Sequence, residues 1–325
     1  MTRTGALLLS TALAFPLPAQ QPSPLVAPGA ALETLFDAGV FTEGPAAAPD
    51  GTIYFSDITG SARSREAGHI MRFDPRSGAV AIYRSPSGMA NGIIFDPEGR
   101  MVVTEGADFG GRRVTRTDMT TGRSEVLASM FEGRHFNSPN DVTVDARGRI
   151  YFTDPRYVGH EPIELPVMAV YRIDPDRTLT MVAADAGKPN GIAVAPDQKT
   201  LYVASGDNGA TGALPKGMTP LPGRSAILAY DLTEDGSATF RAVLAPQGAD
   251  GLSVDRDGNV YAAAGGKGVL VYAPDGREIA RIPTPVSTTN VEFSRGDGPS
   301  YLYITGGKGL YRIRMNARGY HPADR

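Results

Sequence analysis

Six times along the chain a polar residue opens a short apolar run, a polar turn built from Pro, Asp and Gly follows, and a second apolar-aromatic run closes the unit. The copies begin at Glu43 (EGPAAAPDGTIYFSD), Asn91 (NGIIFDPEGRMVVTE), Asn140 (NDVTVDARGRIYFTD), Asn190 (NGIAVAPDQKTLYVAS), Asp250 (DGLSVDRDGNVYAAA) and Asn290 (NVEFSRGDGPSYLYIT), spaced 40 to 60 residues apart. Within each copy the pattern is strand, tight turn, strand, as in Val142 to Val144, Asp145 to Gly148 and Arg149 to Thr153. A second alternating hairpin follows the first five copies, at His69 to Tyr83, Arg112 to Ala128, Ala169 to Ala183, Ala226 to Leu244 and Gly268 to Ile282. Four strands per repeat at this period predict an all-β fold, a six-bladed β-propeller with four-stranded blades.

The sixth copy supplies only three strands, ending in Gly309 to Met315. Ala31 to Asp37 (ALETLFD) carries the missing one, so the N-terminal strand is expected to complete the last blade and remove an exposed sheet edge. The propeller domain is therefore placed at residues 31–315, with a polar C-terminal tail at 316–325. Two stretches do not fit the strand pattern, Pro155 to Met168 in the third blade and the Gly/Pro-rich Gly206 to Ser225 in the fourth. Insertions in repeats gather on one face, so both are expected at a pocket mouth, with Tyr157 as a substrate-binding wall.

Residues 1–20 read as an export signal: Arg3 gives the positive start, Ala6 to Phe15 the apolar run and Leu17-Pro18-Ala19 the cleavage site. A Pro/Ala-rich lead fills 21–30. The apolar run is too short to span a bilayer and none later approaches that length, which predicts a periplasmic or secreted protein with no membrane span. With no cysteine, neither disulfides nor thiolate metal sites are available. A formal charge of −3 without a basic cluster argues against a nucleic-acid partner. The 39 glycines and 26 prolines sit between apolar strands, which is turn chemistry and not low complexity.

In a propeller the residue that starts the innermost strand of each blade lies at one rim of the central channel. Glu43, Asn91, Asn140, Asn190, Asp250 and Asn290 are thus expected to converge on the axis. Two carboxylates among amide carbonyls, with no His or Cys, make a hard oxygen set that favours calcium or magnesium, and the irregular mixture suits calcium. Asp57 and Asp154, at the ends of second strands, read as caps or as hydrogen-bond partners of neighbouring blades, and His135 is an outside candidate for the site. The turn sequences at Pro49 to Gly51 and Asp96 to Gly99 lack EF-hand ligand spacing, and no GxSxG or strand-embedded phosphate loop is present.

Four segments, FTEGP (Phe41 to Pro45), NSPNDVTVDARGRIYFTDP (Asn137 to Pro155), KPNGIAVAPDQKTLYV (Lys188 to Val203) and GADGLSVDRDGNVY (Gly248 to Tyr261), resemble the gluconolactonase and regucalcin (senescence marker protein) family of six-bladed calcium-dependent propeller hydrolases. The resemblance runs from about Leu32 to Arg314. It implies a cation, calcium or another divalent ion such as Mg2+, Mn2+ or Zn2+, held by Glu43, Asn190 and Asp250, with Asn140 binding metal or substrate. Where regucalcin has an arginine that contacts a sugar acid, this chain has Ser138, in a run more like bacterial lactonases. The implied reaction is the opening of a small-molecule lactone such as glucono-1,5-lactone to the aldonic acid, with the ion as Lewis acid. Asp250 is the candidate general base, and attack by water activated at the ion is the other route. Hydrolysis of phosphotriesters or aryl esters at the same site, or a non-catalytic calcium-stabilised propeller that binds glycan or protein, are the alternative functions.

Overall fold

The computed structural model describes residues 23–59, 68–206, 223 and 225–322; the export signal, most of the Gly206 to Ser225 insertion and the end of the C-terminal tail lie outside the described residues. Every regular element described is a β-strand, and the strands form six four-stranded antiparallel blades. Blade 1 comprises Thr42–Ala47, Ile53–Asp57, His69–Phe73 and Val80–Arg84; blade 2, Ala90–Phe95, Met101–Glu105, Arg113–Thr117 and Ser124–Ala128. Blade 3 comprises Val142–Val144, Ile150–Asp154, Ala169–Ile173 and Leu179–Ala183; blade 4, Lys188–Val194, Thr200–Gly206, Ala226–Leu232 and Ala238–Ala245. Blade 5 comprises Leu252–Val254, Val260–Ala263, Val269–Tyr272 and Glu278–Ile282. Blade 6 pairs Thr288–Phe293, Ser300–Gly306 and Gly309–Met315 with the N-terminal strand Glu33–Phe36.

That last pairing is the expected ring closure. Glu33 stands opposite Arg312 and Phe36 opposite Leu310. The Arg312 guanidinium donates twice to Glu33 Oε2, at 3.0 and 2.8 Å, so a charged pair fastens the two ends of the chain. It also joins the first residues of the sheet to the last, which leaves no blade with an unpaired third strand.

The first turn of the repeats has a common chemical cause in blades 2, 3 and 5. In blade 3, Asp145 Oδ1 accepts from the Arg147 and Arg149 amides (both 2.9 Å), while Oδ2 pairs with Arg149 Nε at 2.6 Å. Asp96 and Asp255 bind the amides two and four residues on in the same way. An Asp folding the backbone onto its own carboxylate pins the hairpin register, and with it which side chains face the neighbouring blade. These runs are hairpin turns and not ion-binding loops. One element absent from the sequence reading is a two-residue hairpin, Met130–Phe131 with Arg134–His135, hung on the end of blade 2.

The apolar core is divided into six clusters, each sandwiched between two successive blades. Phe55, Phe73, Tyr303 and Leu310 join blades 6 and 1, for example, and Tyr261, Phe293, Leu302 and Ile304 join blades 5 and 6. The Tyr261 ring meets that of Phe293 edge-on at 4.8 Å between centroids. Inner strands are buried almost throughout, whereas fourth strands such as Val80–Arg84 alternate or lie exposed. Radial packing of this kind places the inner strands' first residues around one axis, which is where chemistry would have to sit.

Candidate active site

Adjacent blades are joined near the rim by a repeated backbone bond, in which the residue after the rim position donates its N–H to the rim carbonyl of the next blade. Gly92 donates to Asn140 (2.8 Å), Gly191 to Asp250 (2.7 Å) and Gly251 to Thr289 (2.8 Å). The series fixes the equivalent rim positions as Glu43, Asn91, Asn140, Asn190, Asp250 and Thr289. This corrects the sixth expectation: Asn290 is one residue past the rim. Its Oδ1 accepts from the Val291 amide (2.8 Å), and its side chain lies against Gly251, occupying the space a Cβ there would need. Thr289 in turn spends its hydroxyl on the Thr42 carbonyl (2.7 Å).

The other five rim residues line one cavity of about 200 Å3, together with Ser138 and Tyr157. All six candidate site residues, Glu43, Ser138, Asn140, Tyr157, Asn190 and Asp250, are therefore gathered around a single space, with Asn91 beside them. Asn190 Nδ2 donates to Asp250 Oδ1 (2.7 Å) and to the Tyr157 hydroxyl (3.1 Å). Both bonds are made by the amide nitrogen of Asn190, which leaves its oxygen available as an acceptor. Glu43 is 4 % exposed, with its own Oε2 taking the Gly44 amide at 3.2 Å. The buried Oδ1 of Asn91 finds no hydrogen-bond partner among the described residues. The floor thus brings two carboxylates together with the amide groups of Asn91, Asn140 and Asn190.

Tyr157 sits over Lys188, whose ammonium lies 3.9 Å from the ring centroid and which is 1 % exposed. Burial, with Asp250 and Glu43 adding to it against the bond from Asn190, pushes the phenol well above its ordinary range, so it stays protonated. Lys188 went unnoticed in the sequence because a lysine two residues before Asn-Gly reads as a solvated loop residue. Its only signal is the KPNG run itself.

Asp57 and Asp154 act as caps, the first of the two roles expected of them: each holds the loop that leads into the rim of its own blade. Asp57 Oδ1 accepts from the Val40 (2.8 Å) and Phe41 (3.0 Å) amides, just ahead of Glu43. Asp154 takes the Asn137 (2.8 Å) and Ser138 (2.7 Å) amides, just ahead of Asn140. Burial pushes the Asp154 carboxyl up to about 7, opposed by those two amides and by Arg112 and Arg156. Ser138 Oγ accepts from the Ala107 amide (2.9 Å), which ties the blade 3 loop to blade 2. His135 is not brought to the site; it pairs with Glu164 (2.9 Å) at the exposed edge.

Further along the axis a second space, about 40 Å3, is lined by Asp141, Thr143, Ser253 and Glu292. Burial raises Asp141 to about 7 and Glu292 to about 8. Beyond Met315 the chain crosses this end, where Tyr320 N–H donates to the Val254 carbonyl (3.0 Å) and Gln198 Nε2 to the Tyr320 hydroxyl (2.9 Å). Tyr320, His321 and Pro322 complete its lining. Of these two spaces the larger one is lined in part by Tyr157 and Val158 of the Pro155 to Met168 insertion.

Comparison with known proteins agrees with this geometry. Residues 41–308 match the family model described as SMP-30/Gluconolactonase/LRE-like region. A gluconolactonase from Zymomonas mobilis is 29% identical over 309 residues, covering 86% of this chain and 80% of that protein. The solved structure of XC5397, a gluconolactonase from Xanthomonas campestris, is 30% identical and superposes with a TM-score of 0.75 over 90% of this chain and 91% of its own. A calcium-binding regucalcin from Agrobacterium tumefaciens, 19% identical, shares the fold with a TM-score of 0.67 over 89% of this chain and 94% of its own.

Proposed function

The chain belongs to the SMP-30/gluconolactonase/LRE-like family, and from that premise we propose that it is a lactone hydrolase working through a divalent cation, calcium by preference, held by Glu43, Asn140, Asn190 and Asp250. Two of the relatives are named gluconolactonase, and sugar lactones such as glucono-1,5-lactone are among the substrates to expect. The observation that carries this reading is the floor of the cavity. Two carboxylates, buried Glu43 and half-buried Asp250, converge there with three amide side chains, and one amide oxygen is orphaned. Such a donor set fits a hard cation, and Asn91 joins it on the strength of its unpartnered Oδ1. Bound there, the ion supplies polarisation of the ester carbonyl and neutralises the two carboxylates.

The chain's own residues do the rest. Asn190, fixed by Asp250 and Tyr157, keeps its oxygen as an acceptor, and Asn140 and Ser138 line the approach of the ester. Asp250 accepts the proton of an attacking water as the new C–O bond forms. The ring C–O bond then breaks, and the proton passes to the departing ring oxygen to leave a hydroxy acid. Protonated Tyr157 donates a hydrogen bond into the cavity at no cost in deprotonation.

The test is pH-stat hydrolysis of aldonolactones, corrected for spontaneous opening, with chelator-treated protein before and after calcium is restored. Turnover that returns with calcium is the expected result. Calcium binding without turnover of any lactone would favour a metal-stabilised propeller that binds glycan or protein. We also propose export to the periplasm or beyond the cell, on the strength of Arg3, the Ala6 to Phe15 run and the cleavage site before Gln20. N-terminal sequencing of protein recovered outside the cytoplasm is expected to start near Gln20, and an intact Met1 there would refute it.

A further inference from the structure

The geometry points to a preferred lactone that carries an apolar substituent, a hydrocarbon chain or an aryl ring, in place of the hydroxyls of an aldonolactone; this rests on the lactonase reading above and narrows its substrate. The cavity is sharply divided. Its floor is the set of carboxylates and amides, but its walls are Phe41, Ile58, Met89, Ala107 and Val158. The three polar groups on those walls each have one bond made within the protein: Ser138 Oγ accepts from the Ala107 amide, the Tyr157 hydroxyl accepts from Asn190, and Asp108 Oδ1 pairs with His160 Nδ1 (2.7 Å), which leaves only the Ser138 and Tyr157 O–H donors and Asp108 Oδ2 for a ligand. An aldonolactone bound at the floor would set hydroxyls against Phe41, Ile58, Met89, Ala107 and Val158, where they lose water without replacement.

Phe109, one residue beyond the cavity-lining Asp108, stands 78% exposed, and its ring stacks on His160 at 5.4 Å between centroids. It is displayed there against a backbone preference, since Asp108 (φ 68°) and Phe109 (φ 66°) both occupy the left-handed region, as does Met89 (φ 60°) on the same wall. The Glu161 carboxylate holds the turn by accepting the Asp108 (3.0 Å) and Phe109 (2.6 Å) amides. Strained, non-glycine turns maintained by a partner from another blade concentrate where a ligand is recognised. An exposed phenylalanine, anchored in this way one residue beyond the cavity lining, suits a substituent that extends from the ring toward solvent.

The test compares calcium-loaded protein on three lactones: glucono-1,5-lactone, a δ-lactone with a five-carbon alkyl chain and a benzo-fused δ-lactone. Each methylene that reaches the wall is worth about fourfold. The expected result is a kcat/KM at least about tenfold higher for the two apolar lactones, expressed mainly in KM. Met89→Gln, similar in shape but polar, is expected to remove most of that preference, lowering kcat/KM for the two apolar lactones relative to glucono-1,5-lactone; Val158→Thr serves where the first variant folds poorly. Equal or faster turnover of the sugar lactone by the wild type overturns the inference and leaves the lactonase reading standing. So does a preference that survives both substitutions. Turnover of no lactone at all overturns the lactonase reading, and this inference with it.

Discussion

Asp250→Asn is expected to lower lactone turnover by about a thousandfold while the protein folds as before. The two consequences separate because the residue is held by its backbone and acts through its side chain. Its N–H donates to the Ala263 carbonyl (2.8 Å) and its own carbonyl receives the Gly191 amide (2.7 Å), and neither bond changes in the variant. What changes is the carboxylate that takes the Asn190 amide at 2.7 Å. An asparagine in its place offers one acceptor oxygen and no base, and removes one of the two negative charges on the floor. Matched melting curves with calcium titration and lactone kinetics check both halves. Full activity in a folded variant would take Asp250 out of the mechanism and leave the rim as a scaffold.

The parts of this site that were legible in the sequence are those that obey the repeat. Glu43, Asn140, Asn190 and Asp250 lie in phase with the hairpins, so a period read from apolar runs places them on one rim without any knowledge of tertiary contacts. The same reasoning misplaced the sixth position by one, because it followed the asparagine. In blade 6 the rim residue is Thr289, whose hydroxyl binds the Thr42 carbonyl across the ring closure, a bond 247 residues long in sequence. Nothing local distinguishes Thr289 from Asn290. The walls were illegible for a related reason: Met89, Ala107 and Val158 come from turns whose shape is set by non-local bonds, such as Glu161 onto the Asp108 amide 53 residues away. Strand periodicity carries no information about such turns. Lys188 beneath Tyr157 belongs to the same class, since its burial exists only once the Pro155 to Met168 excursion folds over blade 4.

The rim geometry also explains why glycine follows four of the six rim residues, and it yields the second large expected effect. At Gly191 a Cβ would stand 2.3 Å from the Asp250 carbonyl oxygen and 2.8 Å from both Gly251 Cα and its carbonyl carbon. All three atoms are backbone, so no side chain can rotate out of the way. Gly191→Ala must therefore spread blades 4 and 5 at the point where Asn190 and Asp250 meet, breaking the 2.7 Å amide bond that sets their spacing. Overpacking of this kind costs about 3 kcal/mol. The functional loss should be larger in proportion, about a hundredfold in kcat/KM, because displacing reacting groups by an ångström is enough to misalign them. Gly266→Ala is the control: a Cβ there meets nothing within 4 Å and the residue is outside the left-handed region, so it should behave as wild type. A Gly191→Ala protein that melts and turns over like Gly266→Ala would show that the two blades are not held in register by the rim bond, and that the spacing of Asn190 and Asp250 is set elsewhere.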